Sequence, residues 1–228
     1  MASDLNLGAL LSSVKAPARV FDVSMPISAD MPVYKNRDEK KPRFEVVRTH
    51  AQGARETRIS IDLHTGTHLD FPLHMIEGGA GSDSSTVEDI IASGLVLDLT
   101  GPRDKITGED LAEALERWKP LPVGDGAWLL LKTRNSFMEG FDSAFVYLDE
   151  SGARYLAKSG VRGVGIDALG VERSQPGHET HKTLFAHGIG VLEGLRLKDV
   201  PPGRYLMIAA PLRLKGVEAA PARVMLVG

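Results

Sequence analysis

The sequence predicts a mixed α/β domain in which strands outnumber helices. Short runs of apolar and β-branched residues recur along all 228 residues, whereas few segments carry the capping residues of a helix. Glycine and proline, at 24 and 13 residues, separate these segments. Because strand and helix do not alternate regularly, we expect a strand-rich core with few helices and not an array of βαβ units.

The predicted strands are short and bounded by turn-forming residues. In chain order they cover residues 18–27, 43–49, 55–63, 95–100, 127–133, 144–149, 161–167, 204–210 and 223–227. The polar segment 32–42, PVYKNRDEKKP, is expected to be a surface loop, a place where specificity is often encoded. Gly163 and Gly165 lack the third glycine of a dinucleotide-binding motif, so we interpret them as sites of close backbone packing.

Three helices are predicted, over residues 85–93, 111–118 and 149–158. Thr107 and Asp110 form a capping-box pattern ahead of the second helix, and Pro120 is expected to end it. Asp149 is expected to cap the third helix, and Gly160 to close it in the left-handed conformation.

Composition and charge limit the classes of function. With 43% hydrophobic and 25% charged residues the chain is near the globular average, and its length suits a single domain, 1–228. The formal charge of -3, without a basic stripe, predicts no nucleic-acid partner and no binding to an anionic membrane. No apolar run reaches the roughly 18 residues of a membrane span. The N-terminal segment lacks the charge order of a secretory signal, so we expect a cytoplasmic protein.

Histidine and carboxylate side chains are the metal ligands open to this chain, because it contains no cysteine. Six of its seven histidines fall into two clusters, His64, His68 and His74, then His178, His181 and His187. The seventh, His50, ends a predicted strand. A carboxylate accompanies each cluster, Asp70 within the first and Glu193 after the second.

The first cluster follows a strand whose residues alternate in polarity. Its polar face includes Asp62, and His64 leaves the strand on that face. The next three residues, two threonines around Gly66, disfavour a helix, so a turn there is expected to bring His68 back beside His64. Thr65 stands where the HExxH motif of helical zinc proteases requires glutamate, so that motif is absent.

His68, Asp70 and His74 share the same parity after that turn, so in an extended segment they project from one face. Two imidazoles and one carboxylate that converge are a suitable ligand set for Zn or Mn. His74, with an unperturbed pKa of roughly 6.5, is a candidate acid or base near neutrality. A purely structural role is disfavoured because such residues rarely cluster by chance.

The second cluster admits two interpretations. Residues 175–181 are expected to form a loop, where surface histidines are common. Glu193 follows the apolar run 189–192 and is either a solvated carboxylate or a ligand. From the residues alone, two interpretations are equally supported. The residues of this cluster either take no part in a site or form the second half of one.

The segment His64-Thr-Gly-Thr-His-Leu-Asp-Phe-Pro-Leu-His74 resembles the H-x-G-x-H-x-D-x-P-x-H signature of the cyclase family of metal-dependent hydrolases. That family includes bacterial kynurenine formamidases and isatin hydrolases. The likeness covers most of the chain, since 21–27 resembles the family's opening strand and 191–195 its late glutamate-containing segment. The resemblance implies a swivelling β/β/α domain, usually in homo-oligomers.

The resemblance also implies a site for a divalent metal, Zn or Mn, with one or two ions. The implied ligands are His64, His68, Asp70, His181 and Glu193. Asp70 and Glu193 would bridge two ions, and the twelve-residue spacing from His181 to Glu193 matches the family, which favours His181 over His178. His74 would correspond to the family's catalytic acid/base.

Two departures from the family concern the substrate. Formamidases typically carry P-V-W-P-G-D near the N-terminus, where this chain has PVYKNR, so that Tyr34 keeps only the aromatic ring. Phe71 replaces the small residue common before the motif's proline and is expected to narrow the pocket. Tyr34 and Phe71 are therefore the predicted substrate-binding residues, and kynurenine specificity is in doubt.

The expected function is metal-assisted hydrolysis of a C–N amide bond in a small-molecule substrate, either a formamide or a cyclic amide. A lactone or other ester hydrolase that uses the same metal site is one alternative. A metal-binding or small-molecule-binding protein that kept the fold without catalysis is another. The sequence contains neither a G-x-S-x-G elbow nor a phosphate-binding glycine loop.

Overall fold

The computed structural model describes residues 18–118 and 126–228, together with the single residues 8, 11 and 14. Within these ranges strands outnumber α-helices, which confirms the mixed α/β, strand-rich architecture predicted from the sequence. Among the helices described there, none is both long and apolar enough to cross a membrane.

The strands are numbered in chain order: β1 (Val20–Asp22), β2 (Arg43–Arg48), β3 (Glu56–Ser60), β4 (His68–Asp70), β5 (Ile91–Asp98), β6 (Lys105–Ile106), β7 (Trp128–Lys132), β8 (Tyr147–Leu148), β9 (Gly163–Ile166), β10 (Gly190–Glu193), β11 (Gly203–Pro211) and β12 (Ala219–Val227). The α-helices are α1 (Val87–Ile90), α2 (Gly108–Glu116), α3 (Glu150–Ala157) and α4 (Glu179–Ala186). Short 3-10 turns span Tyr34–Asn36, Asp38–Lys40, His50–Gln52, Pro72–His74, Ser82–Ser84 and Arg134–Phe137.

Eight strands form the main sheet, in the order β1-β12-β11-β5-β7-β9-β10-β4. An additional pairing of β4 with β12 closes seven of these strands into a barrel-like ring. The pairings β5–β7, β7–β9 and β9–β10 are parallel, and each is linked by a crossover that contains one of α2, α3 and α4. The other pairings in this sheet are antiparallel.

Side-chain alternation divides the apolar residues between the two faces of the barrel wall. On β7, Trp128 and Leu130 belong to the interior core, together with Leu69 from β4. Leu129 and Leu131 belong to a second core that β7 shares with α2, α3 and α4. The three helices therefore cover one outer face of the barrel, and side chains that point out of β4 and β10 on that face lie beneath them.

Trp128 lies across two glycines of neighbouring strands. A Cβ atom on Gly163 would lie 2.4 Å from the Trp128 ring, and one on Gly190 would lie 2.8 Å from it. A Cβ atom on Gly165 would lie 2.7 Å from a methyl group of Leu130. The interpretation of Gly163 and Gly165 as sites of close backbone packing is confirmed.

Strands β2 and β3 form a separate antiparallel ribbon. Every residue of both strands is exposed. The register sets Phe44 opposite Ile59 and Val46 opposite Thr57, which gives the ribbon one largely apolar face. The alternation that predicts these strands is present, but nothing in the described chain buries the apolar side.

Several predicted elements are shorter in the structure. The strand predicted over 55–63 ends at Ser60, so His64 lies in a turn beyond it and not at the end of the strand. The strand predicted over 18–27 is limited to β1, because further along the Met25 N–H donates to the Thr67 hydroxyl at 2.8 Å and not to a neighbouring strand. The strand predicted over 144–149 is limited to β8. The helix predicted over 85–93 is limited to α1, because the β-branched Ile91 begins β5.

The predicted helix caps are confirmed. Thr107 Oγ1 accepts from the Asp110 N–H at 3.2 Å, while the Asp110 carboxylate accepts from the Thr107 N–H at 2.7 Å. The Asp149 side chain caps α3 by accepting a hydrogen bond from the Gly152 N–H, and Gly160 has φ of +73°. The predicted stop at Pro120 lies outside the described residues.

Candidate metal centre

Strands β4 and β10 carry polar side chains although both are buried. Their antiparallel register sets Glu193 opposite His68 and Val191 opposite Asp70. Because Leu69 points into the barrel interior, its neighbours His68 and Asp70 point to the outer face. His68, Asp70 and Glu193 are 1%, 2% and 4% exposed. The sequence predicts the extended course of β4, but it does not predict β10.

Two glycines bring the end of β10 against the turn before β4. Gly66 and Gly194 have φ of +64° and +71°, and a Cβ atom on Gly194 would lie 2.3 Å from the Gly66 oxygen. The Thr67 hydroxyl also donates to the Gly194 carbonyl at 2.6 Å. The predicted turn at Gly66 is confirmed, and it places His64 Nδ1 3.2 Å from His68 Nε2.

Helix α4 supplies His181, where the sequence predicts a loop through residue 181. The helix begins at Glu179, so His181 lies in its first turn and is buried. His181 Nε2 lies 3.5 Å from Asp70 Oδ2 and 3.5 Å from Glu193 Oε1. The side chain of His178 is half exposed at the edge of this group. Of the two histidines, His181 is the one that meets both carboxylates.

The group contains buried polar atoms that no hydrogen bond satisfies. Both Asp70 carboxylate oxygens and His181 Nε2 are buried and make no hydrogen bond within residues 18–118 and 126–228, although ionisable groups lie close to them. Asp70 Oδ1 lies 2.9 Å from His64 Nδ1 and 3.4 Å from His68 Nε2. Buried atoms of this kind are costly unless they coordinate something.

The donor set fits a divalent metal ion. His68, Asp70 and Glu193 offer ligand atoms that all lie within 4.8 Å of one another, and so do His64, Asp70 and His74. Imidazole nitrogen and carboxylate oxygen are the ligands that Zn and Mn prefer. Asp70 belongs to both sets.

The electrostatics of the group favour added positive charge. Burial opposes protonation of His68, but the Asp70 and Glu193 carboxylates outweigh it and raise its pKa to about 10. Burial also opposes ionisation of Asp70, yet His68 and the other imidazoles hold its pKa well below the usual range. Burial and Asp70 oppose ionisation of Glu193, whose contacts with His181 and His68 lower its pKa to about 2. The carboxylates therefore stay ionised and attract a proton or a metal ion.

His74 completes the group from a 3-10 turn, Pro72–His74, and not from the extended segment that the sequence predicts. Pro72 starts the turn, which places the His74 imidazole beside the rings of His64 and His181. Its ring centroid lies 4.3 Å from that of His64 and 5.5 Å from that of His181. Burial lowers the pKa of His74, and the neighbouring imidazoles add to this effect while Asp70 opposes it. A neutral imidazole is thus favoured at this position.

A cavity of about 260 Å³ opens above the group. His64, Asp70, His74, His181 and Glu193 line it, with Tyr34 and the loop after it. Tyr34 makes edge-to-face contacts with Phe141 and Phe145, at ring-centroid distances of 5.1 and 6.5 Å. The structure places Phe71 elsewhere, in the interior core beside Leu69 and Val23.

Glu172 is a site residue that the sequence reasoning missed. It is buried in the segment between β9 and α4, and it also lines the cavity. One carboxylate oxygen lies 2.9 Å from His181 Nδ1 and contacts His178 Nδ1, and the other accepts from the Thr180 N–H at 3.1 Å. Its position nine residues before His181 was the available signal, but the sequence does not show which carboxylate folds back onto α4.

The structure thus brings together all the predicted metal ligands and His74, with Tyr34 at the cavity wall. It does not bring His187 or His50 there. His187 is exposed after α4, and His50 lies in the turn of the ribbon.

Comparisons with known proteins identify the family. The family model described as "Putative cyclase" matches residues 21–173. The chain belongs to the cyclase family. The swivelling β/β/α fold that the sequence motif implies is therefore confirmed, and the chain is a hydrolytic enzyme of this family.

Among its relatives, a kynurenine formamidase of Sphingopyxis alaskensis is 32% identical over 92% of this chain and 98% of its own length. A solved structure of a predicted metal-dependent hydrolase from Bacillus stearothermophilus is 50% identical, with a TM-score of 0.82 over 92% of this chain and 98% of that one. Isatin hydrolase A from Labrenzia aggregata is 25% identical, with a TM-score of 0.82 over 97% and 98%.

Proposed function

We propose that this protein is a metal-dependent amidohydrolase that cleaves a C–N amide bond of a small molecule, either a formamide or a cyclic amide. The observation that carries the proposal is the buried Asp70 carboxylate, whose oxygens make no hydrogen bond and lie 2.9 to 3.5 Å from ring nitrogens of three histidines. The named activities of two relatives, a kynurenine formamidase and an isatin hydrolase, support amide bonds as the substrate class.

The residues that would hold the metal are the ligands predicted from the sequence, His64, His68, Asp70, His181 and Glu193. One or two ions, Zn or Mn, would suit this set of imidazole and carboxylate donors. A bound divalent ion lowers the pKa of water toward about 7 and polarises a scissile carbonyl.

His74 is the proposed acid/base. Because burial lowers its pKa, the imidazole is neutral near pH 7 and can take a proton from the attacking water at a ring nitrogen. It then returns that proton to the leaving nitrogen as the C–N bond breaks. Tyr34, held by Phe141 and Phe145, provides an apolar wall for the substrate. The sequence-based assignment of Phe71 to substrate binding stays a prediction, and its side chain packs in the interior core and does not line the cavity.

The test is His74→Ala in metal-loaded protein. We expect metal content to stay at the wild-type level and turnover to fall by about 10²–10⁴-fold, the usual contribution of a positioned acid/base. His187→Ala, which removes an exposed imidazole, is the matched control and should change neither quantity. Full activity in His74→Ala would overturn the assigned role.

A substrate panel separates the proposal from its alternatives. Formamides and cyclic amides should be hydrolysed in preference to lactones, and the reverse order would establish an ester hydrolase on the same site. Metal-loaded protein that binds these compounds without hydrolysing any of them would be a binding protein. Unused catalytic groups in a buried site are costly to keep, which argues against that outcome.

We also propose that the chain is one domain and assembles as a homo-oligomer. The support for assembly is the β2–β3 ribbon, where Phe44 and Ile59 remain 47% and 46% exposed. An isolated two-stranded ribbon is marginal in water, and a second copy of the chain is the proposed cover for its apolar face. The small-molecule substrate class, the lack of a nucleic-acid or membrane partner, and the cytoplasmic location stay predictions.

A further inference from the structure

The cavity above the metal centre has a cationic rim. Lys35, Arg37 and Lys40, all from the loop that precedes β2, line it together with His64 and His74. The three carboxylates that line the cavity, Asp70, Glu172 and Glu193, are instead buried at its floor. The cavity therefore carries negative charge at its floor and positive charge at its rim.

The three cations differ in what already neutralises them. Lys40 Nζ lies 2.9 Å from an Asp62 oxygen, so its charge is largely paired. Lys35 Nζ lies 5.2 Å from the centroid of the Tyr34 ring, a cation–π contact that leaves its charge available. The Arg37 guanidinium is exposed and has no carboxylate within 4.0 Å in the described ranges 18–118 and 126–228. The nearby Asp38 instead pairs with Lys41 at 2.7 Å.

The backbone of the rim is held in an uncommon conformation. Lys35 and Asn36 both have positive φ, 59° and 51°, a left-handed geometry that side chains other than glycine rarely adopt. Such a conformation costs free energy and is often kept where it positions functional groups. Here it turns the chain directly after Tyr34 and presents Lys35 and Arg37 on the cavity that Tyr34 lines.

We propose that the substrate is an anionic amide, and that Arg37 and Lys35 bind its carboxylate at the rim while its amide lies over the metal centre. A free guanidinium binds a carboxylate through two parallel hydrogen bonds, which suits one planar anion. A cavity of about 260 Å³ leaves room for a small acyl or aromatic body between the two ends. This inference names the substrate class of the proposed hydrolase and rests on that function.

The kinetic test compares two probes that differ by one carboxylate, N-formylanthranilate and formanilide. We expect the metal-loaded protein to prefer N-formylanthranilate in kcat/KM by about tenfold or more, which one charge-assisted hydrogen-bonded pair can supply. Arg37→Gln should raise KM for N-formylanthranilate by a similar factor, with kcat unchanged and formanilide unaffected. Arg204→Gln removes an exposed charge from β11, away from the cavity, and it should change none of these values.

A binding measurement separates this inference from the proposed function. Calorimetry on the metal-free protein compares anthranilate with the uncharged anthranilamide. We expect tighter binding of anthranilate, and we expect Arg37→Gln to abolish this preference and Arg204→Gln to keep it. If this pattern appears but no compound of the substrate panel is hydrolysed, the hydrolase proposal fails and the anion site stands. If formanilide and N-formylanthranilate are cleaved equally well and Arg37→Gln changes neither, the anion site is overturned and the hydrolase stands. Equal binding of the two ligands, with no hydrolysis of any compound of the substrate panel, overturns both.

Discussion

Strand β4 and the β2–β3 ribbon reverse the usual relation between polarity and burial in opposite ways. In β4 all residues are buried, yet His68 and Asp70 are polar and ionisable. In the ribbon every strand residue is exposed, yet Phe44, Val46, Val47 and Ile59 are large and apolar. Both arrangements cost free energy in an isolated chain. Each therefore indicates a binding partner that the chain alone does not contain.

The difference between the two regions lies in what would compensate each cost. The polar atoms of β4 face other polar side chains from β10 and α4, so the missing component is a small cation that they surround. The ribbon faces solvent on its apolar side, so the missing component is another apolar surface. A buried polar cluster thus indicates a ligand site, and an exposed apolar face indicates a protein interface.

Asp70→Asn is the change with the largest expected effect on the β4 side. The amide keeps the shape but loses the charge that the neighbouring imidazoles and a metal ion require. Metal content should fall to near zero, and activity should fall by more than the roughly 10–100-fold typical when a group that only orients a ligand is lost. Metal analysis with an activity assay measures both quantities.

Asp22→Asn is the control, because this carboxylate pairs with Arg223 at the surface, away from the cluster. It should retain metal and activity. Normal metal content in Asp70→Asn would show that the Asp70 carboxylate is not required to bind a metal ion. The buried polar cluster on β4 would then not indicate a ligand site.

The β4 half of the site could be predicted because its residues are contiguous. Alternation and the glycine at position 66 suffice to place His64 beside His68 and Asp70, and the structure keeps that placement. The backbone conformation at His74 is harder to predict, because a 3-10 turn that begins at Pro72 also places this residue on the side of His68 and Asp70. Local sequence therefore predicted proximity there, but not backbone geometry.

The other half depends on tertiary structure. Helix α4 contains two threonines and a histidine, which are weak helix formers, and its N-cap is His178 in a left-handed conformation without a side-chain cap. Strand β10 has only four residues and is held by its register with β9 and β4. Glu172 acts from a segment outside both elements. Packing, and not propensity, brings these residues to the site.

Glu172→Gln is expected to have an intermediate effect, because it removes a contact behind a ligand and not the ligand itself. The amide keeps an acceptor for the Thr180 N–H but loses the charge 2.9 Å from His181 Nδ1. Metal affinity should fall by about 10–100-fold, while the melting temperature of the metal-free protein changes little. A metal-competition titration and thermal unfolding measure the two.

Glu179→Gln, one residue before Thr180 and exposed on α4, is the matched control for charge and should leave metal affinity at the wild-type value. A fall in unfolding temperature without a change in affinity would make Glu172 a support for the helix only. The metal site would then be limited to the five proposed ligands.

Phe44→Ser tests the ribbon and should have the smallest effect on chemistry. If a second copy covers the apolar face, the loss of this side chain removes about 1.5–3 kcal/mol of apolar burial and raises the dimer dissociation constant by roughly tenfold or more. Metal content should stay at the wild-type level, because the ribbon strands lie outside the ligand set. Sedimentation over a range of concentrations measures the association.

Glu45→Ser, on the opposite face of the same strand, should leave the association unchanged. A wild-type protein that is monomeric at high concentration would refute self-association, and the exposed face of Phe44 and Ile59 would then need a different partner.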